Sequence, residues 1–114
     1  MDKLYNLKYL KEISGGEEEF IVDMLNDFVV NTPITMAETE LQAAVSNWEE
    51  LHKIAHRFVS TFDFIGADDV IMKLRTLELY CKTGSNLEQI PILVRDIKLF
   101  SDKIIVEIKS DFKF

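Results

Sequence analysis

The sequence predicts an all-α domain, an antiparallel up-and-down four-helix bundle with two additional N-terminal helices covering one end. Between its few glycines and prolines, apolar residues recur every three or four positions, which places them on one face of a helix. No segment alternates apolar and polar residues in the way a strand requires. The links between the longer predicted helices are short, and short links favour antiparallel neighbours.

Short breaks and one capping pattern divide the chain into six predicted helices. The breaks are Ser14-Gly15-Gly16, Asn31-Thr32-Pro33, Gly66 and Thr83-Gly84-Ser85-Asn86. Glycine ends helices because it tolerates left-handed backbone, and proline fits a first helical turn because its missing N–H is not needed there. Asn47, with Glu50 three residues later, is typical of a helix N-terminus. The predicted ranges are 4–13, 17–30, 32–45, 47–64, 67–82 and a last helix that starts between 87 and 91 and ends near 112.

Each predicted helix has an apolar face that we expect to point into the core. Outside the fourth helix, the inward residues are Phe20, Met24, Leu25 and Phe28 in the second, Ile34, Ala37, Leu41, Ala44 and Val45 in the third, Val70, Leu74, Leu77 and Cys81 in the fifth, and Leu93, Ile97, Phe100, Ile104 and Ile108 in the last.

Length, composition and charge restrict the class of protein. The 114 residues suffice for one domain, 1–114, and 47% hydrophobic residues can form a core. Thirteen Lys and Arg against twenty Asp and Glu give a net charge of -7, which argues against nucleic acid and anionic membranes as partners. The single cysteine, Cys81, excludes an internal disulfide, and the sequence contains neither a signal-peptide stretch nor a membrane-spanning run. We therefore expect a cytoplasmic monomer in which Cys81 is a small core residue.

The fourth predicted helix carries the most informative pattern. Its apolar residues fall within about 60° of one direction, and they are Trp48, Leu51, Ala55, Phe58, Phe62 and Ile65. His56 points about 130° away from that direction, towards solvent. On its face lie His52 one turn before, Ser60 one turn after and Asp63 two turns after. A histidine held on a rigid helix offers a ring nitrogen as a nucleophile, and the small Ser60 leaves room beside it. On this pattern alone, an ordinary surface histidine is the alternative.

The residues around His56 resemble the motif of histidine phosphotransfer (HPt) domains. The motif reads Ile54-Ala55-His56-Arg57-Phe58, then small residues at Ser60 and Thr61, then Ile65-Gly66-Ala67. The resemblance covers roughly residues 5–79, and its further parts are Tyr9-Leu10, Ser14-Gly15-Gly16-Glu17, Glu19-Phe20-Ile21, Phe28, Thr32-Pro33 and Trp48-Glu49-Glu50-Leu51. The chain departs from the family at Val59, where most members have lysine, and at Asp63, where a neutral or basic residue is commoner.

The resemblance implies a phosphoryl carrier rather than an enzyme. His56 would accept a phosphoryl group from a receiver-domain aspartate and pass it to another receiver. The residues around this phosphosite would be His52, Arg57, Val59, Ser60 and Asp63. The implied partners are response-regulator receiver domains and a hybrid sensor histidine kinase. The chain would need no cofactor of its own, because the receiver would supply Mg²⁺.

We expect a partner to dock on the exposed flank of the fourth helix, beside the first helix. Candidate apolar contacts are Val59, Phe64 and, in the first helix, Leu4 or Leu7. Phe64 has the alternative of packing under a neighbouring segment. Arg57 and Lys53 have the alternative of lying on a solvated face.

Two other functions compete with phosphotransfer. The first is an interaction module that keeps the HPt fold without the transfer chemistry, which Val59 favours and His56 with Ser60 disfavours. The second is a metal site, since His52 and His56 are one helical turn apart, with Glu49 or Asp63 as further ligands. No glutamate follows His52, so the zinc-protease helix signature is absent.

Overall fold

The computed structural model describes residues 4–112, which form five α-helices, one short 3-10 turn and no strand. The elements in chain order are α1 (Lys8–Ser14), α2 (Glu18–Ala44), α3 (Trp48–Asp63), α4 (Asp68–Thr83), the 3-10 turn (Leu87–Gln89) and α5 (Ile90–Phe112). Helix α3 packs against α2 and α4, α5 packs against α2 and α4, and α1 packs against α2. The prediction of an all-α domain is confirmed. Among these residues no helix has the length and hydrophobicity needed to cross a membrane.

Most helix ends follow from local signals that the sequence contains. The Asn47 side chain accepts a hydrogen bond from the Glu50 backbone N–H at 3.4 Å, as its capping pattern predicts. Helices α1 and α4 end at Gly15 and Gly84, both in left-handed conformation. The predicted start of the first helix at residue 4 is wrong. The Asn6 carboxamide oxygen accepts the Lys8 backbone N–H at 2.8 Å, and the helix begins only after this turn.

The predicted break at 31–33 is also wrong, because α2 continues through Pro33, so one short helix, α1, precedes the four long ones instead of the two additional N-terminal helices predicted. A proline inside a helix costs about 3 kcal/mol, since it removes one hydrogen bond and crowds the preceding turn. Burying one large apolar side chain contributes about 1.5–3 kcal/mol. Phe28, Thr32 and Met36, spaced four residues apart on both sides of the proline, are all buried. Packing of these side chains therefore outweighs the local break.

The continuous helix places the predicted inward stripe of residues 34–45 on the wrong side. With Thr32, Met36 and Thr39 buried, all of its members are exposed: Ile34, Ala37, Leu41, Ala44 and Val45. In the first half of α2, Phe20 is exposed instead of inward. A separate third helix could pack with any rotation about its own axis. In a continuous helix, the packing of the first half fixes the rotation of the second.

The inward faces of α4 and α5 agree with the prediction. The buried residues are Val70, Leu74, Leu77, Ile97, Ile104 and Ile108, and the half-buried ones are Cys81, Leu93 and Phe100. Burial raises the pKa of the Cys81 thiol to about 11, so the reactive thiolate is scarce at neutral pH. This agrees with Cys81 as a packing residue.

The segment before α1 ties the end of α3 to the end of α5. The Asn6 backbone N–H donates to the Ile65 carbonyl at 2.6 Å, and the hydroxyl of buried Tyr5 donates to the Asp111 carboxylate. Gly66 has a φ of +59°, and a Cβ atom there would lie 2.7 Å from the Asn6 carbonyl oxygen. The turn between α3 and α4 thus needs glycine both for its backbone conformation and for this close approach.

Gly66→Ala should destabilise the protein more than Gly84→Ala does. Gly84 also has a positive φ, but nothing lies within 4 Å of its Cβ position, so its replacement introduces only backbone strain of about 1–2 kcal/mol. At Gly66 the contact with Asn6 should add about 1–3 kcal/mol. Urea unfolding of the two variants measures the difference. Equal losses in the free energy of unfolding would show that the N-terminal segment moves away from residue 66 without cost.

The stability of the protein should depend on Tyr5 ionisation at alkaline pH. Burial, followed by the hydrogen bond to Asp111, raises the pKa of Tyr5 above its ordinary value. The protonated form is therefore favoured by folding, and its contribution is complete below about pH 10 and declines above it. In urea unfolding between pH 8 and 11, Tyr5→Phe should lower the free energy of unfolding at pH 8 and flatten its fall above pH 10.

The exposed Tyr9 supplies the matched control for this experiment. Tyr9→Phe removes a hydroxyl from an exposed side chain and should lower the free energy of unfolding at pH 8 less than Tyr5→Phe does. If Tyr5→Phe and the wild type fall in parallel above pH 10, the Tyr5 hydroxyl does not stabilise the fold.

Candidate functional site

His56 lies in the middle of α3 and faces outward, as predicted. Its side chain is 72% exposed, whereas the stripe on the opposite side of the helix forms the centre of the core. Of that predicted stripe, Trp48 is half-buried and the others are buried: Leu51, Ala55, Phe58, Phe62 and Ile65. The two rings of Phe58 and Phe62 also contact each other at 5.0 Å between centroids. This packing fixes the rotation of α3 and hence the outward direction of His56.

The His56 ring is held by a carboxylate of the neighbouring helix α4. His56 Nδ1 lies 2.7 Å from Glu78 Oε1, a hydrogen-bonding distance. His52 Nε2 lies 3.7 Å from the same oxygen. The Glu78 side chain is 21% exposed, so this contact is partly shielded from water. The site therefore consists of two histidines around one carboxylate, with His56 making the direct contact.

This hydrogen bond determines which nitrogen of His56 is free. An ionised carboxylate has no proton and only accepts hydrogen bonds, so Nδ1 carries the proton and donates it. In the neutral ring the lone pair then lies on Nε2. The resulting arrangement presents one unprotonated nitrogen of an exposed ring at a fixed orientation, which is what a nucleophile requires.

Sequence reasoning missed Glu78. It lies 22 residues after His56, and the only signal for it is its position immediately after the buried Leu77, at the edge of the α4 core face. Such a position indicates a carboxylate beside a neighbouring helix. Which helix that is depends on the packing of α3 against α4.

The outward surface beside His56 is concave towards the end of α3. Tyr9, Ser60, Asp63 and Phe64 line a shallow depression. Ser60 also lines a cavity of about 260 Å³ between α1, α2 and α3. The rings of Tyr9 and Phe64 lie 5.9 Å apart between centroids, so Phe64 packs against the first helix, as its alternative predicted. The small side chain of Ser60 thus leaves open space on the histidine side of the helix.

Val59 does not belong to the exposed surface. It is 7% exposed, so it offers little surface for the predicted contact with a partner. The reason is that α3 packs between α2 and α4, and the buried arc of the helix is wider than its apolar stripe, taking in Ile54 and Val59 as well. Leu4 and Leu7, the other predicted contacts, are half-buried against the core.

The remaining predicted site residues differ in their contacts. Arg57 is exposed and makes no hydrogen bond or ion pair within the described part of the chain. Lys53 lies 3.8 Å from Glu49, and both side chains are largely in water, where such pairs contribute little. Asp63 is exposed, and the carboxylate that holds His56 is that of Glu78, not Asp63.

The metal hypothesis gains no support from the geometry. Over residues 4–112, no three His, Cys, Asp or Glu side chains are grouped so that they could hold a metal ion. His52 and His56 share Glu78 instead of directing their nitrogens at a common point with Glu49 or Asp63.

Comparison with known proteins identifies no relative. No protein-family model matches the chain, and neither a curated protein nor a solved structure is significantly similar to it.

Glu78→Ala should change the tautomer of His56. In the wild type, two-bond ¹H–¹⁵N correlation spectra at a pH where the ring is neutral should show the proton on Nδ1. Without the carboxylate, the ring should shift to the Nε2–H form that imidazole prefers in water. Glu78→Gln, which keeps an acceptor oxygen, should retain the Nδ1–H form, and so should His52→Gln. An Nε2–H ring in the wild type would contradict the assigned hydrogen bond.

Proposed function

We propose that this protein is a histidine phosphotransfer domain, which accepts a phosphoryl group on His56 Nε2 from a receiver-domain aspartate and passes it to another receiver. The observation that carries the proposal is the exposed ring whose Nδ1 is held by Glu78 at 2.7 Å while Nε2 is left free. The proposed fold is an antiparallel bundle of α2, α3, α4 and α5, with α1 covering one end. The pairwise packing of these helices supports it.

The transfer step needs only groups that His56 and a receiver supply. The Nε2 lone pair attacks the phosphorus of the aspartyl phosphate, an N–P bond forms, and the P–O bond to the aspartate breaks. The electron pair of that bond leaves with the aspartate carboxylate. The Nδ1 proton stays on the ring, which becomes a cation, and the adjacent Glu78 carboxylate stabilises this charge. In the onward step an aspartate oxygen of the next receiver attacks the phosphorus, and the electron pair returns to Nε2.

The contribution of this chain is orientation. Phosphoryl transfer between two prepared groups depends chiefly on alignment and charge neutralisation. Packing of α3 aligns the ring, and Glu78 fixes its tautomer. The receiver supplies Mg²⁺, so the proposal requires no cofactor on this chain and no enzymatic turnover by it.

The surface around His56 suits a receiver domain. The depression lined by Tyr9, Ser60, Asp63 and Phe64 gives a docking surface beside the ring. Arg57, which makes no ion pair among the described residues, follows His56 directly in α3 and is a candidate cation for the phosphoryl oxygens. The proposed partners are receiver domains and a hybrid sensor histidine kinase, in the cytoplasm.

The alternative is an interaction module that has the same fold and lacks transfer. Val59 favours this alternative. Most HPt domains carry lysine at this position, whereas here a buried valine offers no cation to the phosphoryl group. Asp63, exposed two turns after His56, adds a negative charge that repels a phosphoryl group.

A phosphotransfer assay separates the two functions. Incubation of the full chain with a receiver carrying a phosphorylated aspartate should transfer the label to this chain. The adduct should be acid-labile and stable to base, as expected for phosphohistidine. His56→Gln should abolish the adduct, because it removes the nucleophile, and His52→Gln should retain it.

Two results would contradict the proposal. The first is the absence of label on the wild type across a panel of receivers, and the second is equal labelling of His56→Gln and the wild type. If the wild type takes no label but binds unphosphorylated receivers, the interaction module is the correct function. Since His56 is exposed, circular dichroism should show both variants folded.

A further inference from the structure

The second half of α2 presents an apolar seam to solvent. We use this name for Val30, Ile34, Ala37, Leu41 and Ala44, all of them exposed. Among the large ones, Val30, Ile34 and Leu41 are 55%, 64% and 58% exposed. Single exposed apolar residues are ordinary, whereas a continuous row along four turns of one helix marks an interaction surface.

The seam is separate from the core and from the histidine surface. The opposite side of the same half-helix is the one packed into the core, through Thr32, Met36 and Thr39. No seam residue lines the depression or the cavity beside Ser60. The seam is therefore an additional surface, and an argument about it does not rest on phosphotransfer.

The spacing of the seam predicts that its occupant is a helix. Its residues are separated by four, three, four and three positions, which is the alternation found where one helix packs along another at a shallow angle. Two heptads of such a seam accept a second helix lying along α2.

The charge of α2 predicts the sign of the charge on that partner helix. The 27 residues of α2 contain six acidic residues and no lysine, arginine or histidine. Glu38 and Glu40 flank the seam next to Ala37 and Leu41. The Asp102 carboxylate, to which Lys98 Nζ of α5 donates at 2.7 Å, is the main cause of the raised pKa of Lys98, and Glu40 contributes less. A second copy of the chain would bring acidic flanks against each other, which is unfavourable.

We propose that the seam binds an amphipathic helix of a basic partner protein, whose apolar residues pack on Ile34 and Leu41 while its lysines or arginines face Glu38 and Glu40. Apolar burial holds the helix in place, and the charges select a basic helix and set its orientation. The net charge of -7 of the whole chain attracts such a partner and opposes self-association.

A pair of synthetic peptides tests this proposal with the full chain. Each is a helix-forming peptide of about 20 residues with leucines at the seam-facing positions, and the flanking positions are lysine in one and glutamate in the other. In fluorescence anisotropy the lysine peptide should bind roughly tenfold or more tightly than the glutamate peptide, and its affinity should fall with added salt. Leu41→Glu should weaken binding of the lysine peptide roughly tenfold or more, because a charge replaces a buried contact.

Matched variants distinguish binding at the seam from nonspecific hydrophobic binding. Leu79→Glu changes a leucine of similar exposure, 54%, on α4 and should leave binding unchanged. The double replacement Glu38→Lys and Glu40→Lys should invert the preference towards the glutamate peptide. All these positions are exposed, and circular dichroism checks that the variants fold.

Each of the other outcomes overturns the proposal. Equal affinity for both peptides, no binding of either, or an equal effect of Leu79→Glu and Leu41→Glu would exclude a basic helix as the specific occupant. Concentration-dependent dimerisation in sedimentation that Leu41→Glu abolishes would identify a second copy as the occupant instead.

Discussion

The burial of α3 between α2 and α4 is the constraint on which the rest of the structure depends. Leu51, Phe58 and Phe62 fill the centre of the core, so the helix has one rotation only. That rotation turns His56 outward and brings it within 2.7 Å of Glu78. The same apolar packing that stabilises the fold therefore also directs the imidazole outward, and Glu78 then holds the ring through Nδ1.

The end of α3 is fixed by contacts from the far ends of the chain. Tyr5 hydrogen-bonds to Asp111, and Asn6 closes on the turn at Gly66. These contacts bring α1 to the side of α3, where Tyr9 meets Phe64. The concave surface next to the histidine is thus built from segments distant in sequence. Its shape should be lost before the central core unfolds, because it depends on a few terminal contacts.

Helix α2 shows how packing overrides a strong local signal. Pro33 with its preceding threonine is typical of a helix start. The helix nevertheless continues through Pro33, because the face around Met36 is buried in the core. One consequence is the exposed seam around Leu41. The chain buries the face around Met36 and leaves the face around Leu41 exposed, and the spacing of apolar residues alone does not reveal which face is buried.

The helical class, the caps at Asn47 and Gly84 and the outward direction of His56 were determined by the sequence alone, because each depends on residues within one or two helical turns. Three features were decided only by the tertiary structure: the unbroken α2, the burial of Val59 and the contact of His56 with Glu78. The rotation of α2 comes from a core shared with other helices. Val59 is covered because α2 and α4 both pack against α3. The periodicity of the α3 sequence does not reveal how many helices lie against it. Glu78 reaches His56 across 22 residues of chain, and a sequence pattern specifies which side of a helix is apolar but not which neighbour lies against it.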